Sequence, residues 1–180
     1  MPLDVICFAL KLVGALCIMG GCCGMGYFMC TGLSGRLRAL TELKSLVLHM
    51  SGEIRCMSEP VPAMLAHTAQ MAGPVYRDFF YHVSSDLRQG KGQKLSSVWA
   101  QNVDIHLSGG PLKASDLKMI QRLGDTLGSH DTKMQLSFLE FFGIELQTTI
   151  DKLGGELSSQ KKVYGGLWVL GGVFVVILFI

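Results

Sequence analysis

Apolar residues recur at intervals of three and four along most of the centre of the chain, with charged and polar residues between them. This spacing is typical of helices that bury one face. Prolines and glycines interrupt it at residues 59–62, 73–74 and 90–92, and a loop is expected over residues 104–113. No alternating pattern of useful length indicates a strand. The sequence therefore predicts an all-α fold, with a six-helix bundle over residues 34–160.

Two long stretches without charged residues frame this bundle. One covers residues 12–35, and the other covers residues 163–180. As a helix, the second would be roughly 27 Å long, close to the thickness of the hydrocarbon core of a bilayer. We therefore expect transmembrane helices at residues 5–31 and 163–180. A cleaved signal peptide is the alternative for the first, but Asp4 and the lack of a basic residue before Lys11 are atypical of that class.

Basic residues beside the two spans indicate on which side of the membrane the bundle lies. They cluster on the bundle side of both spans, whereas the outer sides carry only Lys11, which is close enough to its span to extend along it. By the positive-inside rule, the central domain is expected to be cytoplasmic, with both termini on the other side. The basic residues concerned are Arg36, Arg38, Lys161 and Lys162.

Small residues are frequent in the first span. Gly20 and Gly24 lie four positions apart, an arrangement that lets a second transmembrane helix approach closely, so we predict that they are packing contacts. Five of the six cysteines lie in the same apolar segment, without a spacing typical of metal ligands. Contact with lipid or with another helix is the interpretation we favour for these cysteines.

Charge argues against nucleic-acid binding, and motif content argues against catalysis. The net charge is +2, and the basic residues do not form a stripe with aromatic residues, so nucleic-acid binding is not expected. No residue lies in a known nucleophile motif, and no glycine-rich segment has the spacing of a phosphate-binding loop. The dipeptide His130–Asp131 occurs in metal-dependent hydrolases, but no other histidine is spaced to complete a metal site. We expect no catalytic residue, no metal and no cofactor.

A polar segment with two glycines, residues 123–131, separates the last two amphipathic runs. Gly128 is expected in the left-handed conformation that ends one helix, and Asp131 is expected to cap the next. Asp125 and Asp131 could share a cation across this turn, although solvated caps are the interpretation we favour. The segment, here called the elbow, is the candidate site for contacts with a partner. Its candidate residues are Gly124, Asp125, Thr126, Gly128, His130 and Asp131.

The order of these motifs resembles that of a known family. Helix starts marked by proline at residues 59–65 and 73–75 precede a glycine turn and a Leu–Ser helix start within residues 87–96. The sequence Gly-Asp-Thr-Leu-Gly at residues 124–128 then resembles the Gly-Glu-x-x-Gly elbow of the type II secretion F family, inner-membrane platform proteins shared with type IV pili. The pattern Leu-Gly-x-x-Leu-Gly-x-x-Asp at residues 123–131, with one copy of the domain between two spans, resembles more closely the sporulation branch, the stage III sporulation AB family.

The resemblance implies an assembly role without catalysis. The chain would be a platform of the channel complex between mother cell and forespore, in the outer forespore membrane with its domain on the mother-cell side. The partners implied are a secretion-type ATPase, other stage III sporulation channel proteins, further copies of the chain and membrane lipids. Secretion platforms carry the domain twice, so their internal pairing does not carry over. The alternative, from another functional class, is a membrane-tethered helical module that regulates a partner protein.

Overall fold

The computed structural model describes residues 14, 31–56, 60–90, 93–128 and 131–179, with side chains up to residue 159. All regular secondary structure in these residues is helical. The predicted all-α class is therefore confirmed for the described part of the chain.

Six helices follow one another in the described residues, in the order that the apolar pattern predicts. The chain divides into two compact units, one of residues 35–153 and one of residues 1–34 and 154–180. The first unit contains four of the helices whole and corresponds to most of the predicted bundle. The helices are α1 (residues 31–56), α2 (Val61–Met71), α3 (Arg77–Arg88), α4 (Leu95–His106), α5 (Ala114–Leu127) and α6 (Thr132–Phe179).

Proline and glycine mark the helix boundaries where the sequence places them. Pro60 has an extended conformation directly before α2. Gly90 follows α3 with a φ of 64°, a conformation that costs glycine little because it has no Cβ atom. The predicted loop over residues 104–113 begins later than expected, because α4 continues to His106.

The core of unit 35–153 centres on aromatic rings of the segment before α3, α3 itself and α4. Phe79 and Trp99 meet edge to face with their ring centroids 4.9 Å apart, and Phe80 packs edge to face against both. Such contacts stabilise the core beyond the burial of the ring surfaces. Tyr76 is also fully buried beside Phe80. This cluster joins two apolar stripes, those of α3 and α4, which the sequence presents separately.

Two polar contacts attach α1 to the turn before α3. The buried Tyr76 hydroxyl donates to the Ala39 carbonyl (3.1 Å), and the Gly73 backbone N–H donates to Glu42 Oε1 (2.7 Å). Burial raises the pKa of the Tyr76 hydroxyl, and the carboxylates of Glu42 and Asp116 raise it further. The hydroxyl therefore stays protonated and remains a donor, so the buried polar atom has its partner.

An ion pair fixes the start of α1 against the first turn of α5. Arg36 donates twice to Asp116, with Nε–Oδ2 and Nη2–Oδ1 distances of 2.7 and 2.8 Å, and the Asp116 side chain is only 1% exposed. Asp116 also accepts from the Lys113 backbone N–H (2.9 Å), which precedes α5. Burial alone would raise the pKa of Asp116, but the hydrogen bonds from Arg36 and Lys113 outweigh it and hold that pKa below its ordinary value.

The described residues do not test the two predicted transmembrane helices. The span at residues 5–31 lies outside them except for residues 14 and 31, so its packing residues Gly20 and Gly24 stay predictions. The backbone of α6 is helical to Phe179, but the side chains of the span at residues 163–180 lie outside the description. Within the residues that were described, no helix combines the length and apolar character needed to cross a bilayer.

Asp116→Asn is expected to lower the free energy of unfolding by about 3 kcal/mol at neutral pH, because it removes the buried carboxylate charge that accepts both hydrogen bonds from the Arg36 guanidinium. Chemical denaturation of the purified full chain measures this loss. Asp125→Asn is the matched control, since Asp125 is exposed, and should change stability by less than about 0.5 kcal/mol. Equal losses in the two variants would contradict the assignment.

The stability difference between the native chain and Asp116→Asn should shrink in acid. The folded pKa of Asp116 lies below the unfolded value of about 3.9, so the contribution of this carboxylate is complete above the unfolded pKa. It is lost as the pH falls through the folded pKa, because both states then bind the proton. Unfolding curves between about pH 7 and about pH 2 test this. A difference that stays constant over that range would show that ionised Asp116 is not its source.

Candidate interaction surface at the elbow

Gly128, which follows α5 in the elbow, does not adopt the left-handed conformation that the sequence predicts. Helix α5 ends at Leu127, and Gly128 follows with φ −74° and ψ −4°, in the right-handed region. The prediction for Gly128 was therefore wrong, because the chain leaves α5 through a conformation open to any residue. Among the described glycines, the positive φ belongs to Gly90 instead. Ser129 and His130 lie outside the described residues.

Side chains of the first turn of α6 satisfy backbone groups at both helix ends. Asp131 Oδ1 accepts from the Lys133 backbone N–H (2.9 Å), which confirms the predicted cap. Gln135 Nε2 donates to the Leu127 carbonyl (2.8 Å), one of the carbonyls that the end of α5 leaves without a helical partner. Gln135 is buried, so this bond replaces water that cannot reach the carbonyl.

Gly124 lies inside α5, and its role is to admit the Trp99 indole. A Cβ atom built on Gly124 would lie 2.7 Å from the Trp99 Cβ atom and closer still to the ring. The indole Nε1–H donates to the Ile120 carbonyl (2.8 Å), one turn before Gly124. Because real Cβ atoms do not approach so closely, a residue other than glycine would displace the indole from this position. Gly124 is therefore required by the close approach of the indole to the backbone of α5.

The outer side of the elbow is polar. Asp125 is exposed, whereas the Thr126 hydroxyl donates to the Arg122 carbonyl one turn earlier (3.3 Å). Arg122 in turn forms an exposed ion pair with Glu145 of α6 (2.8 Å). The elbow therefore has a packed inner side and an outer side whose carboxylates face solvent. Surface ion pairs add little stability, so the outer side is free to change in sequence without loss of the fold.

The described part of the elbow is built from packing contacts, hydrogen bonds and a helix cap. No group of three or more histidine, cysteine or acidic side chains within the described residues is arranged to hold a metal ion. The sequence indicated Gly124, Asp125 and Asp131, but not Trp99, which packs against Gly124, or Gln135, which bonds to the Leu127 carbonyl. A signal for Gln135 existed, since a lone amide on the apolar stripe of an amphipathic helix requires a buried partner.

Comparison with known proteins places this helical domain. A family model described as Stage III sporulation protein AB matches residues 11–180. The chain belongs to this family. A relative in Bacillus subtilis (strain 168), named Stage III sporulation protein AB, is 24% identical over 170 residues, covering 94% of this chain and 98% of the relative. Membership implies a role in sporulation.

A solved structure of a stage III sporulation protein AB has the same fold. It matches with a TM-score of 0.61 at 20% identity, over 69% of this chain and 97% of the solved chain. At this identity, the likeness concerns the fold alone. The match nevertheless covers nearly the whole solved chain, so the helical arrangement described above is that of the Stage III sporulation protein AB family.

Gly124→Ala is expected to destabilise the chain by about 1–3 kcal/mol, because the added methyl group overlaps Trp99 in a packed core. Gly128→Ala is the matched control. Its Cβ would meet Leu95 Cβ at an ordinary 3.6 Å, and its negative φ suits alanine. We expect Gly128→Ala to be neutral or stabilising by up to about 1 kcal/mol.

Thermal unfolding of both variants, followed by circular dichroism, separates the two roles. A comparable loss of stability in Gly128→Ala would indicate that Gly128 needs the left-handed conformation. An unchanged Gly124→Ala variant would show that the Trp99 contact is not required.

Proposed function

We propose that the chain is a non-enzymatic membrane platform of the channel complex between mother cell and forespore. In this role it couples a cytoplasmic secretion-type ATPase to ring components beyond the membrane. The family match supports the sporulation role, and the resemblance of the elbow to secretion platforms supports the finer assignment. Other stage III sporulation channel proteins and membrane lipids are the remaining partners.

The proposed topology has two membrane spans, at residues 5–31 and 163–180, with the domain at residues 34–160 on the mother-cell side of the outer forespore membrane. The absence of charge in residues 12–35 and 163–180 supports the spans, and the flanking basic residues support the orientation. In this arrangement, α6 connects the domain to the second span without a break, since its backbone is helical to Phe179.

The observation that carries the proposed function is the two-sided construction of the elbow. On its inner side, Trp99 packs against Gly124, and the side chains of Trp99 and Gln135 make buried hydrogen bonds to carbonyls of α5. Asp125 stands exposed on the outer side of the same turn of α5. An outward carboxylate on a helix whose inner side is packed is suited to a basic protein surface, since little of the helix has to become ordered on binding. We therefore assign the ATPase contact to this side.

Asp125→Lys is expected to weaken capture of the host's secretion-type ATPase by the purified full chain at least about tenfold, because it replaces attraction with repulsion at the contact. Asp78→Lys is the control, since it reverses an exposed carboxylate on α3. In a sporulating host, Asp125→Lys should lower the yield of heat-resistant spores more than Asp78→Lys does.

Two outcomes would count against this assignment. Equal capture by the native chain and both variants would move the ATPase contact to another surface. No capture of the ATPase by the native chain, with instead a specific helical peptide bound, would favour the regulatory binding module.

A further inference from the structure

A groove runs between α1 and α6 on the side of these helices away from the aromatic core. The two helices are antiparallel, because Lys44 Nζ donates to Gln147 Oε1 near one end and Arg55 Nη2 pairs with Glu140 Oε1 (3.0 Å) near the other. The groove has a volume of about 640 Å³. Apolar and small residues form most of its lining, which includes Leu48, Gly52, Leu139, Gly143 and Ile144.

Two glycines keep the groove open. A Cβ atom built on Gly52 or on Gly143 would have no heavy atom within 4 Å, so nothing in the described chain fills the space above either residue. The missing side chains let the backbone of another helix approach α1 and α6 closely. Helices packed in this way lie 8–10 Å apart, and small residues at the contact favour the lower end of that range.

An apolar ridge lies beside the groove on the solvent side of α6. Met134, Phe141 and Ile144 are 60%, 66% and 65% exposed, respectively, although they are large apolar side chains. They recur at spacings of seven and three, which places them on one helical stripe, while Leu139 and Phe142 of the same helix face the core. Leu48 of α1 is 59% exposed at the groove. An apolar patch that continues into a groove is typical of a surface that binds another protein.

The basic residues beside the groove on α1 have the same spacing as acidic residues on α6. Lys44 and Arg55 lie on α1, and Glu140 and Asp151 lie on α6, with the same number of residues between the members of each pair. That separation is three helical turns, about 16 Å. Glu140 already lies opposite Arg55 within one chain, and Asp151 Oδ1 accepts from Gln147 Nε2 (2.6 Å) near Lys44. A second α6, parallel to the first and lying in the groove, would therefore bring the same carboxylates to the same bases.

We propose that two copies of the chain pair through this face, the ridge of each lying in the groove of the other. A twofold axis parallel to the helices relates the two copies. The pair is closed, because each copy supplies both a ridge and a groove. Rotation about this axis leaves the position of each charge along the helices unchanged. Glu140 of one copy therefore faces Arg55 of the other, and Asp151 faces Lys44. This pairing goes beyond the platform role and does not require it.

Light scattering of the purified full chain, at protein concentrations spanning two decades, tests the pairing. The native chain should pass from monomer to dimer, and Ile144→Glu should raise the dimer dissociation constant at least about tenfold, because it places a charge in the apolar contact. Ile105→Glu is the matched control, since Ile105 of α4 is 63% exposed and lies away from the groove. It should leave the dissociation constant unchanged.

A charge exchange identifies the partner as a second copy. The double variants Lys44→Glu/Arg55→Glu and Glu140→Lys/Asp151→Lys should each dimerise poorly alone, because each brings like charges together. An equimolar mixture should restore dimers containing one chain of each kind, since both of its contacts then join opposite charges. Circular dichroism of each variant checks that the helical fold is retained.

Three results would overturn the proposal. These are a native chain that stays monomeric throughout, a dimer equally stable in Ile144→Glu and Ile105→Glu, and a mixture of the double variants that forms no mixed dimers. Association through the predicted transmembrane helices would give the second result. Failure of the ATPase capture would leave all of these measurements unaffected, so the two proposals can fail separately.

Discussion

The packing of Trp99 against Gly124 is the contact on which the bundle depends. It brings the ring into the backbone of α5, where the indole N–H bonds to the Ile120 carbonyl, and it leaves the other faces of the ring to Phe79 and Phe80. One side chain thereby joins α3, α4 and α5. A glycine in the middle of a helix costs about 1 kcal/mol in intrinsic propensity, and the burial of the largest side chain in the core offsets that cost.

Helix α6 has two different apolar stripes, and each has its own consequence. Leu139, Phe142 and Leu146 complete the core, and Gln135 satisfies the end of α5. The ridge of exposed apolar residues on the other side contributes nothing to the core of a single chain. A helix that serves only one core is expected to be polar on its outer side. The outer stripe is therefore the feature of α6 on which the proposed pairing of two copies rests.

The helices and most of the core could be predicted from the sequence, because periodicity and the positions of proline and glycine are local signals. The cap at Asp131 is local too, and its prediction was correct. The prediction for Gly128 was wrong because a glycine that follows a helix can adopt right-handed as well as left-handed backbone conformations. The contact of Trp99 with Gly124 and the bond from Gln135 depend on which helices become neighbours. Periodicity along one helix carries no information about that.

The ion pair between Arg36 and Asp116 also bears on the order in which the domain folds. Its partners are 80 positions apart, whereas α2 with α3, and α4 with α5, are neighbours joined by short loops. Closing a long loop costs more entropy than closing a short one, so the local pairs are expected to form first. Docking of α1 is then expected to follow. An interaction made after the transition state slows unfolding without speeding folding, so we expect this ion pair to lengthen the lifetime of the folded domain.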